Sequence, residues 1–303
     1  MDSSELRFFA PKGVLKVWGE DAATFLQGQF SQDLEIEVGE TAYGLWLNRK
    51  GKILADSFVG RTSENDFWVL SYCGDSDLLK SNLEDRIIMD EVETEIPGGE
   101  WIGVSLWGTA IGLALEALGM DRPEKGRFEL KDDVYAFWGR EDETNRLELV
   151  APNEGALARL EDVLDSAKRL SSDEVSLRSI ANERFEVGLD IGNDDLPQEV
   201  GLGEIAVSYS KGCYIGQEVM ARLKSMGRPR RVLLSVVLSG FPHGEGPWAI
   251  VDQSDGKAGE LRRVFQSEDG VIGSAMLKSA IAAERLKLKG QPEIDVRARN
   301  KQF

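Results

Sequence analysis

At Pro229 the chain changes character, and that change fixes what it can fold into. Beyond it, four short apolar runs, Val232 to Leu238, Trp248 to Val251, Leu261 to Phe265 and Val271 to Leu277, are separated by turns containing Gly, Asp and Pro. Such runs predict the strands of a small all-β module, closed or nearly so, over roughly the last 75 residues. Ahead of Pro229, strands alternate with helices at long separations. Val14 to Trp18, Phe67 to Ser71, Ile87 to Thr94, Trp101 to Trp107, Arg127 to Leu130, Val134 to Trp138 and Leu147 to Val150 read as strands. Glu20 to Gln27, Asp75 to Arg86, Thr109 to Leu118 and Asn153 to Leu170 read as helices, with Gly28 ending the first. Together they make an α+β fold, divided near residue 230 into a body, 1–230, and a barrel domain, 231–303. No repeat at a period of about 20 to 50 residues points to a solenoid.

Two runs, Thr41 to Leu47 and Lys52 to Val59, flank Asn48-Arg49-Lys50-Gly51 and predict a hairpin with a four-residue loop. Asp56 sits inside the second run, on the strand face shared by Leu54 and Phe58. A carboxylate there either faces solvent or points into a cavity where it has a task.

Charge narrows the function. Asp and Glu number 53 against 36 Lys and Arg, a formal net charge of -17, which argues against general nucleic-acid binding and against docking on anionic lipid. The N-terminus has neither a secretory nor a transit-peptide pattern, and no run approaches the roughly 18 apolar residues of a membrane span, so the cytoplasm is the expected compartment. Two cysteines, Cys73 and Cys213, and one histidine, His243, form no disulfide framework or metal spacing, so any metal role must be shared with carboxylates or a second chain. His243, between Pro242 and Gly244, reads as an exposed turn residue.

The densest chemistry lies in Lys211-Gly212-Cys213-Tyr214-Ile215-Gly216-Gln217-Glu218. Gly212 and Gly216 allow a sharp turn, and a short helix starts after Gly216 and ends at Gly227. Cys213 therefore stands just ahead of a helix N-terminus and two positions after Lys211, both of which favour a thiolate. An acidic stretch, Ser172 to Val200, leads into the motif as a helix and a long loop. After it, Arg222, Lys224, Arg228, Arg230 and Arg231 form the one concentrated basic run, with no acid between Glu218 and Glu245. It is either a solvated face or a clamp for a carboxylated or phosphorylated ligand.

The Lys211 to Glu218 motif closely resembles the signature of the YgfZ family of folate-binding proteins, whose mitochondrial relatives act in iron-sulfur protein maturation. Phe25 to Asp33 and the hairpin Leu47 to Asp56 resemble the opening of that family and of the related glycine-cleavage aminomethyltransferases. Leu196-Pro197-Gln198-Glu199 fits as well, and Gly259-Glu260-Leu261 with Ile272 to Leu277 are similar to the small barrel that closes these proteins. The resemblance implies an aminomethyltransferase-like folate-binding body around a central cavity, a C-terminal β-barrel, and tetrahydrofolate as ligand. A reduced folate needs a carboxylate for its pterin N–H and amino donors, an apolar or aromatic slot, and cations for its glutamate tail. Glu199 or Asp56 could serve as the first, Tyr43 or Trp46 as the second, and Arg222 with Arg228 or Arg230 as the third; Gln217 belongs to the motif beside them. The Arg-x-Glu-Ala-Gly element that often supplies the pterin contact in the aminomethyltransferases aligns near Ser179 to Asn182, where no glutamate stands.

Three roles remain open. One is a tetrahydrofolate-binding accessory protein for iron-sulfur cluster assembly or repair, with Cys213 reactive, Lys211 activating it, and iron-sulfur assembly or client proteins as partners. Another is a folate-dependent one-carbon transferase or demethylase using Asp56 as acid or base. The third is a folate-binding regulator without chemistry.

Overall fold

The structure is a computed structural model that describes residues 3–140, 145–157, 159–268, 270–281 and 285–299. It has two compact units: Met1–Leu47, Leu54–Ser171 and Ser210–Ile215 form one, and Asn48–Ile53, Ser172–Tyr209 and Gly216–Phe303 the other.

The first unit is built on two sheets. One has the spatial order Thr41–Leu47, Ile53–Arg61, Asp66–Ser71, Gly13–Trp18, Glu93–Glu95. The other runs Lys168–Arg169, Ser4–Phe9, Ile102–Gly108, Leu147–Ala151, Val134–Trp138, Phe128–Lys131. Helices cover one face of each. Leu26 of Ala22–Gln29 and Leu79 and Leu83 of Ser76–Glu84 bury against Leu15, Val17 and Val69 of the first sheet. Ala110, Ile111, Ala114 and Leu115, the stripe expected of helical periodicity, bury Thr109–Leu118 against Leu6, Val104 and Leu149 of the second.

Between the two sheets lies an aromatic layer. Phe58, Trp68 and Leu70 from one sheet meet Phe128, Phe137 and Val150 from the other. Trp68 is edge-on to Phe128 at 5.6 Å and tilted against Phe137 at 5.2 Å, pairs that each add about 0.5–1.5 kcal/mol beyond burial. Gly60 makes room for them, since a Cβ there would come within 2.2 Å of the Trp68 indole nitrogen. Cover on both faces explains why Ile53–Arg61 is buried almost throughout rather than alternately.

The second unit contains the helix Ser172–Ala181, a 3-10 turn at Pro197–Val200, the helix Gln217–Met226 and a closed six-stranded barrel. The barrel order is Arg231–Leu238, Gly270–Lys278, Lys257–Ser267, Trp248–Val251, Leu286–Leu288, Gln291–Ala298, and Val236 pairs with Ala298 to close it. Val236, Ile250, Leu261, Ala275, Leu288 and Val296 fill its interior.

Several elements differ from the sequence expectation. The first helix begins at Ala22 and continues through Gly28 to Gln29, leaving Glu20 and Asp21 ahead of it. Between Ile87 and Thr94 only the end is strand, at Glu93–Glu95; Ile87 and Val92 reach the core while Ile88 and Met89 are 86% and 91% exposed on a turn. Over 153–170 the described helical residues are Glu154–Leu157 and Arg159–Val163, with Ala158 outside the described residues, so helix stops at Val163 rather than reaching Leu170. The end of that segment, Lys168–Arg169, is claimed by the sheet edge, where it pairs in parallel with Glu5 and Leu6. The strand Ser4–Phe9 and the last two barrel strands are additions.

Candidate functional site

Residues 210–215, in the first unit, carry the thiol. The Lys211 ammonium donates to the carbonyls of Phe30 at 2.9 Å and Gln32 at 2.8 Å and lies 5.3 Å from the centre of the Tyr214 ring. The Ile215 N–H donates to the Gly28 carbonyl at 3.2 Å. Lys211 is 8% exposed and Tyr214 is buried, so the turn is pinned on both sides of an exposed Cys213. The receiving segment is itself braced by Gln27, whose amide donates to Asp33 Oδ1 at 2.7 Å and accepts from the Leu34 N–H at 2.8 Å. Burial pulls the Lys211 ammonium down to about 8, against the opposing charges of Asp33 and Glu35. Lys211 thus holds the turn in place through backbone carbonyls. Gly216, at φ 85°, caps the helix that starts at Gln217, and Cys213 lies ahead of that cap.

Asp56 occupies a second polar site in the same unit. It is 5% exposed, and its Oδ2 accepts from the Tyr43 hydroxyl at 2.7 Å. Burial and the neighbouring Asp56 charge push the Tyr43 phenol well above its ordinary value, so it stays protonated as a donor. Tyr43 packs against Phe58 at 5.1 Å and lines a cavity of about 160 Å³ with Thr41, Lys125, Trp138, Arg140 and Arg146. The Arg140 guanidinium faces the Tyr43 ring at 6.0 Å. Trp46, also expected as a slot wall, is instead core: it is 1% exposed, 4.9 Å from Phe30, with its indole N–H on Ser57 Oγ at 2.9 Å.

In the second unit a groove of about 470 Å³ brings Glu199, Arg222, Arg228 and Arg230 together over Leu196, Val219, Leu223 and Met226, with Gln198 and Glu218 also on its walls. Glu199 is held by Arg231, whose Nε and Nη2 reach its two oxygens at 3.0 and 2.7 Å, while the Leu196 N–H adds a third bond at 3.1 Å. Arg231 therefore serves Glu199 and is not part of a free clamp. Beside it, Gln198 Nε2 donates to the Tyr209 hydroxyl at 3.0 Å, and Gln198 Oε1 is buried with no hydrogen-bond partner among the described residues. Lys224 of the basic run lies 3.9 Å from the Tyr209 ring centre.

The acidic stretch before the motif is ordered by the barrel. Asp195 takes both amino nitrogens of Arg262, and the Gly192 N–H at 2.9 Å. Asp190 accepts from Ser274 Oγ at 2.7 Å and from the Glu186 N–H at 3.0 Å, and pairs with Arg263 at 3.3 Å. Burial raises the Asp190 carboxyl above its ordinary value despite these partners.

Two sets of polar residues escaped the sequence reading. Glu148, fully buried in Leu147–Ala151, accepts from Tyr72 OH and Ser105 Oγ, each at 2.7 Å, and pairs with Arg146 at 2.6 Å. The signal was the one that singled out Asp56, a carboxylate inside an apolar strand. The second is Glu186. Arg184-Phe185-Glu186-Val187-Gly188 carries the Arg-x-Glu-x-Gly spacing sought near 179–182, on a tight turn with Gly188 at φ 84° and the Asp190 N–H on the Glu186 carbonyl at 2.8 Å. Its Oε2 takes Ser176 Oγ at 3.1 Å and Arg263 at 3.4 Å.

The GCVT N-terminal domain family matches residues 10–124. Crystalline glycine cleavage system aminomethyltransferase T from Bartonella henselae superposes with a TM-score of 0.83 over 99% of this chain and 86% of that one, at 17% identity. Over residues 10–124 the chain is similar to that domain family, and its fold is aminomethyltransferase-like. Its relatives include an aminomethyltransferase of Caldanaerobacter subterraneus subsp. tengcongensis, 25% identical over 77% of this chain and 66% of that protein. Another is a mitochondrial iron-sulfur cluster assembly factor IBA57 homolog of Neosartorya fischeri, 24% identical over 90% of this chain and 70% of that one. A third is the tRNA-modifying protein YgfZ of Escherichia coli, 24% identical over 84% and 79%. The chain spans about two thirds of the length of the first of these relatives. Together they bear out the likeness to the YgfZ family read from the Cys213 motif. No helix among the described residues is long and apolar enough to cross a membrane.

Proposed function

We propose that this chain is a cytoplasmic, tetrahydrofolate-binding accessory protein for iron-sulfur cluster assembly or repair, with Cys213 as its working thiol. The observation that carries the reading is an exposed cysteine on a turn pinned by a buried lysine. A thiol held out in this way suits exchange with a partner protein or a cluster intermediate, because the turn is ordered before the partner arrives. The relatives named for iron-sulfur assembly and for YgfZ support the same reading.

The residues fit a reduced folate chemically. Glu199 and the buried Gln198 Oε1 offer acceptors to ring N–H donors, Leu196, Val219, Leu223 and Met226 an apolar surface, and Arg222 and Arg228 cations for the carboxylated tail. Glu186, on its tight turn and with a single occupied oxygen among the described residues, is a further acceptor for the pterin. When bound, the folate would supply a one-carbon or reducing group; the chain's own part is to orient it and keep its donors satisfied. Asp56 and Tyr43 keep the transferase reading alive, since a buried carboxylate beside a phenol donor is equipped to handle a proton.

Tetrahydrofolate binding by titration calorimetry and restoration of iron-sulfur enzyme activity in cells lacking the native protein test the proposal together. Wild type and Asp56→Asn should restore that activity while Cys213→Ala should not. Full restoration by Cys213→Ala sinks the thiol role, and loss with Asp56→Asn alone favours the transferase.

A further inference from the structure

The cavity of about 160 Å³ in the first unit has no Asp or Glu among its described lining residues, in a chain with 53 acids against 36 bases. Arg140, Arg146 and Lys125 line it, together with Thr41, Asn145 and the rings of Tyr43, Phe58 and Trp138. Two carboxylates stand next to that wall: Asp56, which takes the Tyr43 hydroxyl at 2.7 Å, and Glu148, which takes Arg146 at 2.6 Å. They balance the two arginines, Tyr43 stays protonated, and the exposed Lys125 adds a third cation. The Arg146 charge also works against that of Arg140. The cavity is therefore electropositive, and one anion would neutralise it.

Its wall is held in place before any ligand arrives. The Thr41 N–H donates to the Gly126 carbonyl and the Gly139 N–H to the Arg146 carbonyl, each at 2.8 Å, which fixes the backbone at the arginines. Trp138 is anchored by its indole N–H on the Pro123 carbonyl at 2.8 Å. The Thr41 hydroxyl oxygen is buried with no hydrogen-bond partner among the described residues. Buried hydroxyls are rarely left so, and a ligand oxygen would satisfy this one. Size limits the ligand, because a cavity of about 150 Å³ is filled by benzene, about six heavy atoms. A pterin with its linker is too large to lie inside.

We infer that this cavity binds a small monocarboxylic acid as its anion, with the carboxylate toward Arg140, Lys125 and the Thr41 hydroxyl and a short apolar chain against Phe58 and Trp138. A guanidinium fork matches a planar carboxylate better than it matches a spherical ion, which favours this class over chloride. The inference does not rest on the folate reading, whose groove belongs to the second unit.

The test is calorimetric titration of the full chain with acetate, propionate, their neutral amides, chloride and inorganic phosphate at constant ionic strength, repeated for propionate in the presence of 5-formyltetrahydrofolate. Saturable binding of acetate and propionate, with the amides, chloride and phosphate much weaker, is the expected result. Arg140→Gln, its thermal unfolding checked first, should weaken propionate by about 10- to 150-fold through loss of charge-assisted bonds. If it does not fold, Lys125→Gln should weaken propionate by about 1.4- to 5-fold and Thr41→Val by about 2- to 10-fold. Retention of full affinity by both overturns the inference, as does retention by a folded Arg140→Gln. Amides that bind as well as the acids overturn it, because charge would not be read, and equal binding of chloride or phosphate overturns the carboxylate class. Absence of saturable propionate binding overturns it outright and leaves the folate reading standing. Displacement of propionate by 5-formyltetrahydrofolate overturns it too, since the cavity would then hold a carboxylate of the folate.

Discussion

The Tyr43 hydroxyl donates to Asp56 Oδ2 at 2.7 Å, linking the two strands of one hairpin through a buried carboxylate. Removing that donor by Tyr43→Phe should destabilise the protein by about 1–3 kcal/mol, the cost of taking a hydrogen bond from a buried charged acceptor. Urea titration measures it; an unchanged midpoint would show that Asp56 finds equivalent solvation elsewhere.

Lys211 gives the stability a pH dependence of known sign. Its folded value is pulled to about 8 while the unfolded chain keeps the ordinary 10.5. Between those values the unfolded state binds more protons, so this group makes stability rise with pH across the window; below pH 8 both states are protonated and the folded state bears the full cost of burying the charge. The stability of wild type relative to Lys211→Met should therefore increase from pH 8 to 10.5. A flat difference would mean the ammonium is solvated in the native protein.

Asp195 has no exposure and takes a two-pronged contact from Arg262. Breaking it with Arg262→Met should cost about 3–5 kcal/mol, because the carboxylate is left buried without its main cation. Adding Asp195→Asn should recover part of that loss, and a thermal double-mutant cycle reads the coupling. Additive single effects would argue that the Gly192 N–H and the Arg231 guanidinium, 3.5 Å from Asp195 Oδ1, hold Asp195 by themselves.

Cys213 is exposed and Cys73 half-buried. Native alkylation followed by mass spectrometry should label one thiol ahead of the other, and Cys213→Ala should abolish the fast phase while changing stability by no more than about 0.5 kcal/mol. A fast phase that persists in that variant would assign the reactive thiol to Cys73.

Periodicity and turn chemistry made much of the fold legible. Thr109–Leu118 and the hairpin at 41–61 follow directly from them, and so do four of the barrel's six strands. What failed were segments whose state is decided by distant partners. Lys168–Arg169 becomes strand only because Glu5 and Leu6 lie beside it, and Ser4–Phe9 exists through its pairing with Ile102–Gly108. The site divides in the same way. Cys213 and Asp56 announced themselves as polar groups in unusual local company, and the structure finds one exposed and the other bonded to Tyr43. The roles of Lys211 and Arg231 were not local, since each is settled by residues far away in sequence: Phe30 and Gln32 for the first, Glu199 for the second.

The aromatic layer between the sheets gives the molecule an uneven optical signature. Of the seven tryptophans, Trp18, Trp46, Trp68, Trp101, Trp107 and Trp138 belong to the first unit, and Trp248 alone to the second, where its indole donates to the His243 carbonyl at 3.0 Å. Intrinsic fluorescence therefore reports almost wholly on the sheet body, and a Trp248→Phe variant would make it silent to the barrel. Emission from that variant, set beside a probe placed in the barrel, would reveal whether the two units melt as one cooperative body or in sequence.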